Sequence, residues 1–328
     1  MRARAEGIDY ARMTRVPAAP KPVSAVQGSL EARLAASAYG RTLPLVALFA
    51  GALGIASSGI FVRLSETGPT ATAFWRGALA LPFLALWALL EARPGGRARP
   101  GRGPALRDGR FFWAGFFFAG DLALWHWSLL LTSIAASTLE ANLAPIFVTL
   151  IAWVAWHERP SGRFLLALGL ALGGVVLIVS HKLGQGSRAL LGDALGIGTA
   201  CFYAGYIAIV SRLRATYGTG LVMASTTLVF TVLLLPLALT QKFLPDTASG
   251  WMLLVGLALI AQFFGQGLIA YALAHLPATF GSVGLYVQPV AAALYARIFL
   301  GEQLAPLQIA GACIVLGAIA LARSAKQT

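Results

Sequence analysis

The stretch TLPLVALFAGALGIASSGIFVRL, residues 42–64, decides the fold class of this protein. Its one charged residue, Arg63, comes close to its end. About 20 helical residues cross the ~30 Å hydrocarbon core of a bilayer, so this stretch is long enough to span it. It is rich in Leu, Ala and Gly and lacks the alternating pattern of a membrane barrel strand. The sequence therefore predicts a transmembrane helix here.

Nine similar stretches follow the first. They lie near residues 70–90, 111–131, 135–157, 163–180, 190–211, 219–240, 251–273, 279–300 and 305–322. Hydrophobic residues make up 58% of the chain and charged residues only 11%, whereas soluble domains have about 25% charged residues. This composition excludes a soluble fold and predicts an all-α membrane protein with ten transmembrane helices.

Lys and Arg are concentrated in alternate gaps between the stretches. Nineteen of them lie in the N-terminal tail, in every second loop after it and in the C-terminal tail, whereas the opposite set has only Arg63, Lys182, Arg188 and Lys242. By the positive-inside rule, both termini are expected in the cytoplasm. Residues 1–41 are basic and rich in Ala and Pro, and we expect them to form a disordered cytoplasmic tail.

The net charge of +13 does not indicate a nucleic-acid partner. Most of this charge lies in the predicted cytoplasmic segments, where topology and anionic lipid headgroups account for it. The expected partners are the lipid bilayer and a small-molecule substrate, with no nucleic acid. The protein is expected to be a monomer or a weak homodimer.

The two halves of the chain resemble each other when the sequence is shifted by 144 residues. Pro145 then aligns with Pro289, Glu158 with Glu302, and Trp127 with Tyr271. Five helices is an odd number, so the second half enters the membrane from the opposite side and the repeats are inverted. The predicted bounds are 42–184 for the first repeat and 185–328 for the second. Inverted repeats favour a midplane cavity that opens to one side at a time.

These features resemble a known family. Ten helices in two halves of five, cytoplasmic termini, and a fourth helix in each half that contains Pro and ends at His157-Glu158 or Gly301-Glu302 are similar to EamA-type transporters of the drug/metabolite transporter superfamily. The chain most resembles bacterial amino-acid exporters of the YddG-like kind, over residues 42–322. The resemblance implies a bacterial inner-membrane location and a central cavity lined by helices one, three, four, six, eight and nine, with helices five and ten peripheral.

Charged side chains inside the membrane are the first candidates for the site, because each costs about 2.5–3.5 kcal/mol to insert unless it has a partner, water or a proton. Asp121 lies near the midplane of the third helix and is a candidate for a substrate ammonium or a proton, or for a bond to a neighbouring helix. Arg76 and Glu140 are predicted at similar depth and can form a static ion pair or a gate. His126 is a candidate proton relay or a simply hydrogen-bonded residue.

Polar and aromatic side chains at helical spacing complete the predicted substrate site. Asn142 in the fourth helix aligns with Tyr286 in the ninth, and Trp127 with Tyr271 is expected to form an aromatic wall. The predicted substrate-binding set is Ser57, Ser58, Asp121, Trp127, Asn142, Tyr203, Tyr271 and Tyr286; Arg76, Glu140 and His126 are the predicted gating or coupling residues.

These residues predict a secondary transporter, an exporter of small amphipathic metabolites such as amino acids, including aromatic ones. No cofactor and no metal are expected, and proton coupling through Asp121, Glu140 or His126 stays open. Carriers of nucleotide sugars, phosphate esters or drugs are the alternative within the superfamily. An intramembrane enzyme is the alternative from another class, and the sequence argues against it because it lacks a Gly-x-Ser-x-Gly motif, a Walker A loop and a second His after His157-Glu158.

Overall fold

The computed structural model describes residues 42–92, 108–131, 141–157, 159–179, 189–300 and 306–324, and the contacts below lie within the compact unit Pro44–Thr328. These ranges contain ten helices and no strand, which confirms the predicted fold class. The helices are α1 (Thr42–Leu64), α2 (Pro69–Glu91), α3 (Arg110–Leu131), α4 (Ala144–Trp156), α5 (Gly162–Val179), α6 (Ala189–Arg214), α7 (Thr219–Ala238), α8 (Ala248–Ala272), α9 (Ala278–Gly284 and Val287–Leu300) and α10 (Pro306–Ser324).

Several helices are long and apolar enough to cross a membrane. Among the described residues five qualify, namely Thr42–Leu64, Pro69–Glu91, Ala194–Arg214, Thr219–Ala238 and Ala248–Ala272. Three shorter apolar helices, Ala144–Trp156, Gly162–Leu177 and Ile309–Ala322, accompany them. Large apolar side chains such as Leu89, Met252 and Ile298 point away from the protein interior, as expected for a surface in contact with lipid.

Helices from the two halves pack directly against each other. The most extensive contacts pair α3 with α6, α2 with α7 and α5 with α10. The α3–α6 pair fits together reciprocally, because a Cβ on Gly120 would lie 2.2 Å from the Phe202 ring and a Cβ on Gly205 would lie 2.7 Å from the Phe117 ring. Small residues that receive a neighbouring side chain are typical of membrane helix interfaces.

Two helices are interrupted close to the aligned prolines. In α9, Leu285 and Tyr286 form a turn between the two helical pieces, and Asn142 and Leu143 form a turn just before α4. A proline has no N–H to donate four residues back. The carbonyl of Leu285, four residues before Pro289, instead accepts from the N–H of Gln288 at 2.9 Å. The two breaks are displaced by one residue under the 144-residue shift.

Helix α8 is wound more loosely in its middle. Residues Leu257–Gln266 form a π-helix, in which each N–H bonds to the carbonyl five residues earlier. Helix α1 crosses this segment at Gly51, where an added Cβ would lie 2.6 Å from the carbonyl oxygen of Gly265. The π segment therefore lies in close backbone contact with the first helix.

Hydrogen bonds join loops at both ends of the bundle. At one end, Gly68 N–H donates to the Lys242 carbonyl at 2.9 Å. At the other end, Gly220 N–H donates to Glu91 at 2.8 Å, and the Tyr217 hydroxyl donates to Asp108 at 3.2 Å. Each bond joins residues within or beside two gaps that the alternation of charge assigns to the same side of the membrane.

Candidate functional site

A cavity of about 210 Å³ lies among the helices of both halves. Its walls come from α1, α2, α3, α6, α8 and α9 and from the turn and first residues of α4. Helices α5 and α10 contribute no described residue to it, in agreement with the peripheral place that the family resemblance implied. Helix α2 was not among the cavity helices that the resemblance implied, although Arg76 itself was predicted as a gating or coupling residue.

Five of the predicted site residues line this cavity. Ser58, Arg76, Asp121, Asn142 and Tyr203 come from five different parts of the chain and meet there. Arg76 is 4% exposed and Asp121 is 8% exposed, so both charges are buried in the protein interior. The structure thus brings together the single Arg and the single Asp among the described lining residues.

The other predicted residues lie elsewhere. Tyr286 is fully buried below the cavity wall, and the Tyr271 ring lies 4.8 Å from that of His275. Ser57 donates to the carbonyl of Gly54 at 2.7 Å, within its own helix. Trp127 is 45% exposed on the outer surface, so it does not form the expected aromatic wall within the cavity.

The structure describes two of the three predicted gating or coupling residues, Arg76 and His126. His126 is buried behind the lining, with Nδ1 2.5 Å from the carbonyl oxygen of Leu122. Glu140 lies outside the described residues, and so does the predicted contact between Arg76 and Glu140. Glu158, Glu302 and the predicted repeat boundary at residues 184 and 185 also lie outside them.

Arg76 is held by a chain of side-chain hydrogen bonds. Its Nε donates to Oε1 of Gln262 at 3.0 Å, and Nε2 of Gln262 donates to the hydroxyl of Thr227 at 3.0 Å. The guanidinium also lies over the Phe118 ring, with Cζ 5.8 Å from the ring centroid. Phe118 in turn stacks on Tyr206 with 4.4 Å between centroids. The cation therefore has a fixed position on an aromatic support.

Nη2 of Arg76 is buried and has no hydrogen-bond partner within the described part of the chain, and Oη of Tyr203, Oε1 of Gln266 and Nε2 of Gln288 lie near one another without a well-formed bond. A buried polar group left unpaired costs about 1–3 kcal/mol. All four residues line the cavity. This arrangement suits a polar occupant that supplies the missing donors and acceptors.

Sequence reasoning missed part of this lining. Trp125, Thr199, Gln266 and Gln288 all line the cavity, and Gln262 supports it from behind. A usable signal was present, because Gln within a membrane helix is expensive unless it serves a partner or a cavity. The sequence does not show which of the many apolar helix faces turns inward.

A second depression of about 480 Å³ lies at one end of the bundle. It is lined by residues including Trp156, Arg159, Ser211, Arg212 and Thr279, and Cζ of Arg212 lies 4.0 Å from the centroid of the Trp156 ring. Ser211 lies one helical turn beyond Ile207, which lines the central cavity. The two spaces therefore follow one another along α6.

Ten apolar helices around a buried polar cavity, lined from both halves of the chain, define an integral membrane transporter. The chain belongs to the EamA-like transporter family, whose model matches residues 42–180 and 190–324. This confirms the family that the order and spacing of the motifs predicted, together with its arrangement in two five-helix repeats.

Relatives and a solved structure agree with this assignment. An uncharacterized transporter of Archaeoglobus fulgidus is 28% identical over 258 residues, which cover 76% of this chain and 86% of that protein. The pseudopaline exporter CntI of Pseudomonas aeruginosa is 28% identical over 195 residues, which cover 59% of this chain and 67% of that protein. A crystal structure of another protein matches with a TM-score of 0.70 at 16% identity, over 86% of this chain and 96% of that one, and shows a shared fold.

Proposed function

We propose that this protein is a secondary transporter that exports small amphipathic metabolites, with amino acids, including aromatic ones, as its substrates. The observation that carries the proposal is the composition of the central cavity, where Arg76 and Asp121 share a space with the aromatic side chains of Phe118, Trp125 and Tyr203. Two opposite charges beside an apolar wall suit a zwitterion with an apolar side chain. Ser58 and Asn142 add neutral polar contacts to the proposed site.

Alternating access is the proposed mechanism. The cavity is lined by residues beside both helix breaks, Asn142 in the first half and Leu285 in the second, so movement of either half against the other changes its walls. The proposed orientation has both termini in the cytoplasm of a bacterium and the chain in its inner membrane. Export as the direction is supported by the likeness to a protein named as an exporter. Proton coupling through Asp121 is part of this proposal.

Charge distinguishes this substrate class from the phosphate esters. A carrier of nucleotide sugars or sugar phosphates needs several cations in its cavity, since a phosphate monoester carries up to two negative charges. Among the described lining residues, Arg76 is the single cation, and Arg297 is exposed at the end of α9. The cavity therefore favours a substrate with one negative group.

Reconstituted protein tests the proposal directly. Liposomes loaded with unlabelled amino acids are expected to take up radiolabelled phenylalanine by exchange, whereas protein-free liposomes are not. Competitors are then added from three classes: amino acids, sugar nucleotides and cationic drugs. Asn142→Ala is expected to slow exchange without loss of folded protein on size exclusion. Competition by sugar nucleotides or drugs alone would assign the protein to the alternative carrier classes.

A further inference from the structure

We infer that Arg76 and Asp121 form a charge clamp in which Arg76 binds the carboxylate of the transported solute and Asp121 binds its ammonium group. The inference rests on the proposed function, since a clamp inside this cavity acts on whatever the cavity carries. It adds the chemistry of recognition. Both charged groups of an α-amino acid are required, and each is bound by a side chain from a different helix.

The guanidinium of Arg76 is prepared for an anion. One edge is fixed, because Nε donates to Gln262, and Phe118 lies beside its plane. The outer nitrogen Nη2 is buried and has no partner among the described residues. A guanidinium offers parallel N–H donors that fit the two oxygens of a carboxylate, and such charge-assisted bonds are about twice as strong as neutral ones. Nη2 is thus a donor that a carboxylate can satisfy.

Asp121 supplies the opposite charge without neutralising Arg76. Both side chains line the same cavity, yet no ion pair of 4.0 Å or less joins them among the contacts of the described residues. Two opposite buried charges gain most when each has a close partner. A zwitterionic solute placed between them provides both partners at once.

The apolar part of the solute has its own place in the cavity. Trp125 and Leu122 follow Asp121 on α3, and Ile207 lines the cavity from α6. An aromatic or branched side chain is expected to pack against these residues, because burying apolar surface is favourable. The clamp therefore fixes the position of the charged end of the substrate. The apolar residues beside it can accept a range of side chains.

Gln262 acts as a positioning residue. It is fully buried, it lies in the π-helical segment of α8, and it connects Arg76 to Thr227 of α7. Its amide holds Nε of Arg76 and so limits how the guanidinium can turn toward a solute in the cavity. Loss of this amide is expected to leave the positive charge of Arg76 in place and to make the orientation of its guanidinium less fixed.

Three ligands of nearly equal size test the clamp on the purified full-length protein in detergent. Phenylalanine has both charged groups, phenethylamine lacks the carboxylate, and 3-phenylpropionate lacks the ammonium. Binding is measured by isothermal calorimetry and by the rise in melting temperature. The wild-type protein is expected to bind phenylalanine roughly tenfold to hundredfold more tightly than either analogue, the range that one lost charge-assisted bond predicts.

Substitutions then assign the two charges. Arg76→Gln is expected to bind phenylalanine no better than phenethylamine, and Asp121→Asn no better than 3-phenylpropionate. Arg76→Lys keeps the positive charge and loses the parallel N–H donors of the guanidinium, so it is expected to retain a preference for phenylalanine over phenethylamine at reduced affinity. If phenylalanine binds with equal affinity to the wild type and Arg76→Gln, or if none of the three ligands binds the wild type, the clamp is wrong.

Substitution of two adjacent threonines distinguishes the positioning role of Gln262 from a general effect on packing. Thr226 and Thr227 are adjacent and buried, but Thr226 donates to the carbonyl of Val222 in its own helix, whereas Thr227 accepts from Gln262. Thr227→Val and Gln262→Leu are expected to reduce the preference for phenylalanine over phenethylamine, and Thr226→Val is expected to leave it unchanged. Equal effects of the two threonine variants would contradict the positioning role.

The binding measurement and the flux measurement can contradict the clamp and the proposed function separately. If the carboxylate preference is present and depends on Arg76 but liposomes show no exchange, the clamp stands and the proposed transport of amino acids is wrong. If liposomes exchange phenylalanine and Arg76→Gln binds it as tightly as the wild type does, transport stands and the clamp is wrong.

Discussion

The carboxylate of Glu66 accepts two hydrogen bonds from Thr247, one from its backbone N–H at 3.1 Å and one from its side-chain hydroxyl. A third bond comes from the N–H of Asp246 at 2.7 Å. Thr247 is also the N-cap of α8, where its hydroxyl accepts from Gly250 N–H at 3.0 Å. Glu66 follows α1, so this contact ties the end of the first helix to the beginning of the eighth.

The Glu66 contact predicts a pH dependence of stability. Hydrogen bonds from the Thr247 hydroxyl and from the backbone lower the pKa of Glu66. A lowered folded-state pKa gives stability that is present above the usual Glu value of about 4.3 and is lost as pH falls through the lowered value. Wild-type protein is expected to lose more thermal stability than Glu66→Gln on acidification below about pH 4.3. Parallel melting curves for the two proteins would contradict this.

A second glutamate makes a similar contact at the opposite end of the bundle. Glu91 ends α2 and accepts from the N–H of Gly220 in the first turn of α7. Carboxylates are stabilised at helix N-termini by the unpaired N–H groups and the helix dipole. Each contact joins the two halves at one end, so each is expected to restrain opening at that end.

This pair of contacts predicts opposite changes in access to the cavity. In a Cys201→Ala, Cys313→Ala background, Ser58→Cys provides one thiol in the cavity lining. Glu66→Ala is expected to raise its labelling rate by a membrane-impermeant thiol reagent added from the Glu66 side, and Glu91→Ala from the Glu91 side. The matched comparison is each variant labelled from the other side. Equal rates from both sides in both variants would show that neither contact restrains access.

The α1–α8 crossing predicts a site where one methyl group is not tolerated. A Cβ on Gly51 would lie 2.6 Å from the backbone oxygen of Gly265 and 2.9 Å from the Ile269 side chain. Because backbone cannot rotate away, Gly51→Ala is expected to destabilise the protein by about 1–3 kcal/mol. The control is Gly169→Ala in α5, where an added Cβ has no neighbour within 4 Å. Thermal unfolding in detergent measures both variants, and equal melting temperatures would contradict the crossing.

Two tryptophans on α3 predict a difference in transport. Trp125 lines the cavity, whereas Trp127 is 45% exposed on the outside of the bundle. Trp125→Ala is expected to slow phenylalanine exchange by about tenfold or more, because it removes apolar contact with the solute. Trp127→Ala serves as the matched control and is expected to exchange at the wild-type rate. A slowdown in Trp127→Ala with none in Trp125→Ala would favour the wall first expected from the sequence.

The fold was predictable because the bilayer fixes the length and composition of each span. The span predicted at 70–90 is observed as the helix Pro69–Glu91, and the span predicted at 219–240 is observed as Thr219–Ala238. Pro145 and Pro289 mark the positions of the helix breaks in the sequence, since a missing N–H interrupts the bonding of any helix. The architecture therefore follows from the length of each apolar span and from the backbone N–H groups that the prolines lack.

The site was predictable only in part, because the rotation of an apolar helix leaves little trace in its sequence. Asp121 and Arg76 were identified by their charge, which is expensive anywhere in the membrane. Trp127 was preferred to Trp125 by alignment of the repeats, and the structure turns Trp125 inward. Gln262 was missed although its polar amide within a membrane helix was a usable signal, and the π segment around it changes the angular spacing by which its face could have been predicted.

That π segment also fixes the tolerance of α8 to changes in length. Removing one residue from Leu257–Gln266 would let the segment rewind as an ordinary α-helix, because a π-helix holds more residues per turn than the 3.6 of an α-helix. The residues after the segment would then keep nearly their present faces, whereas the same deletion in a regular α-helix turns everything after it by about 100°. A one-residue deletion is therefore expected to be tolerated better within this segment than elsewhere along α8.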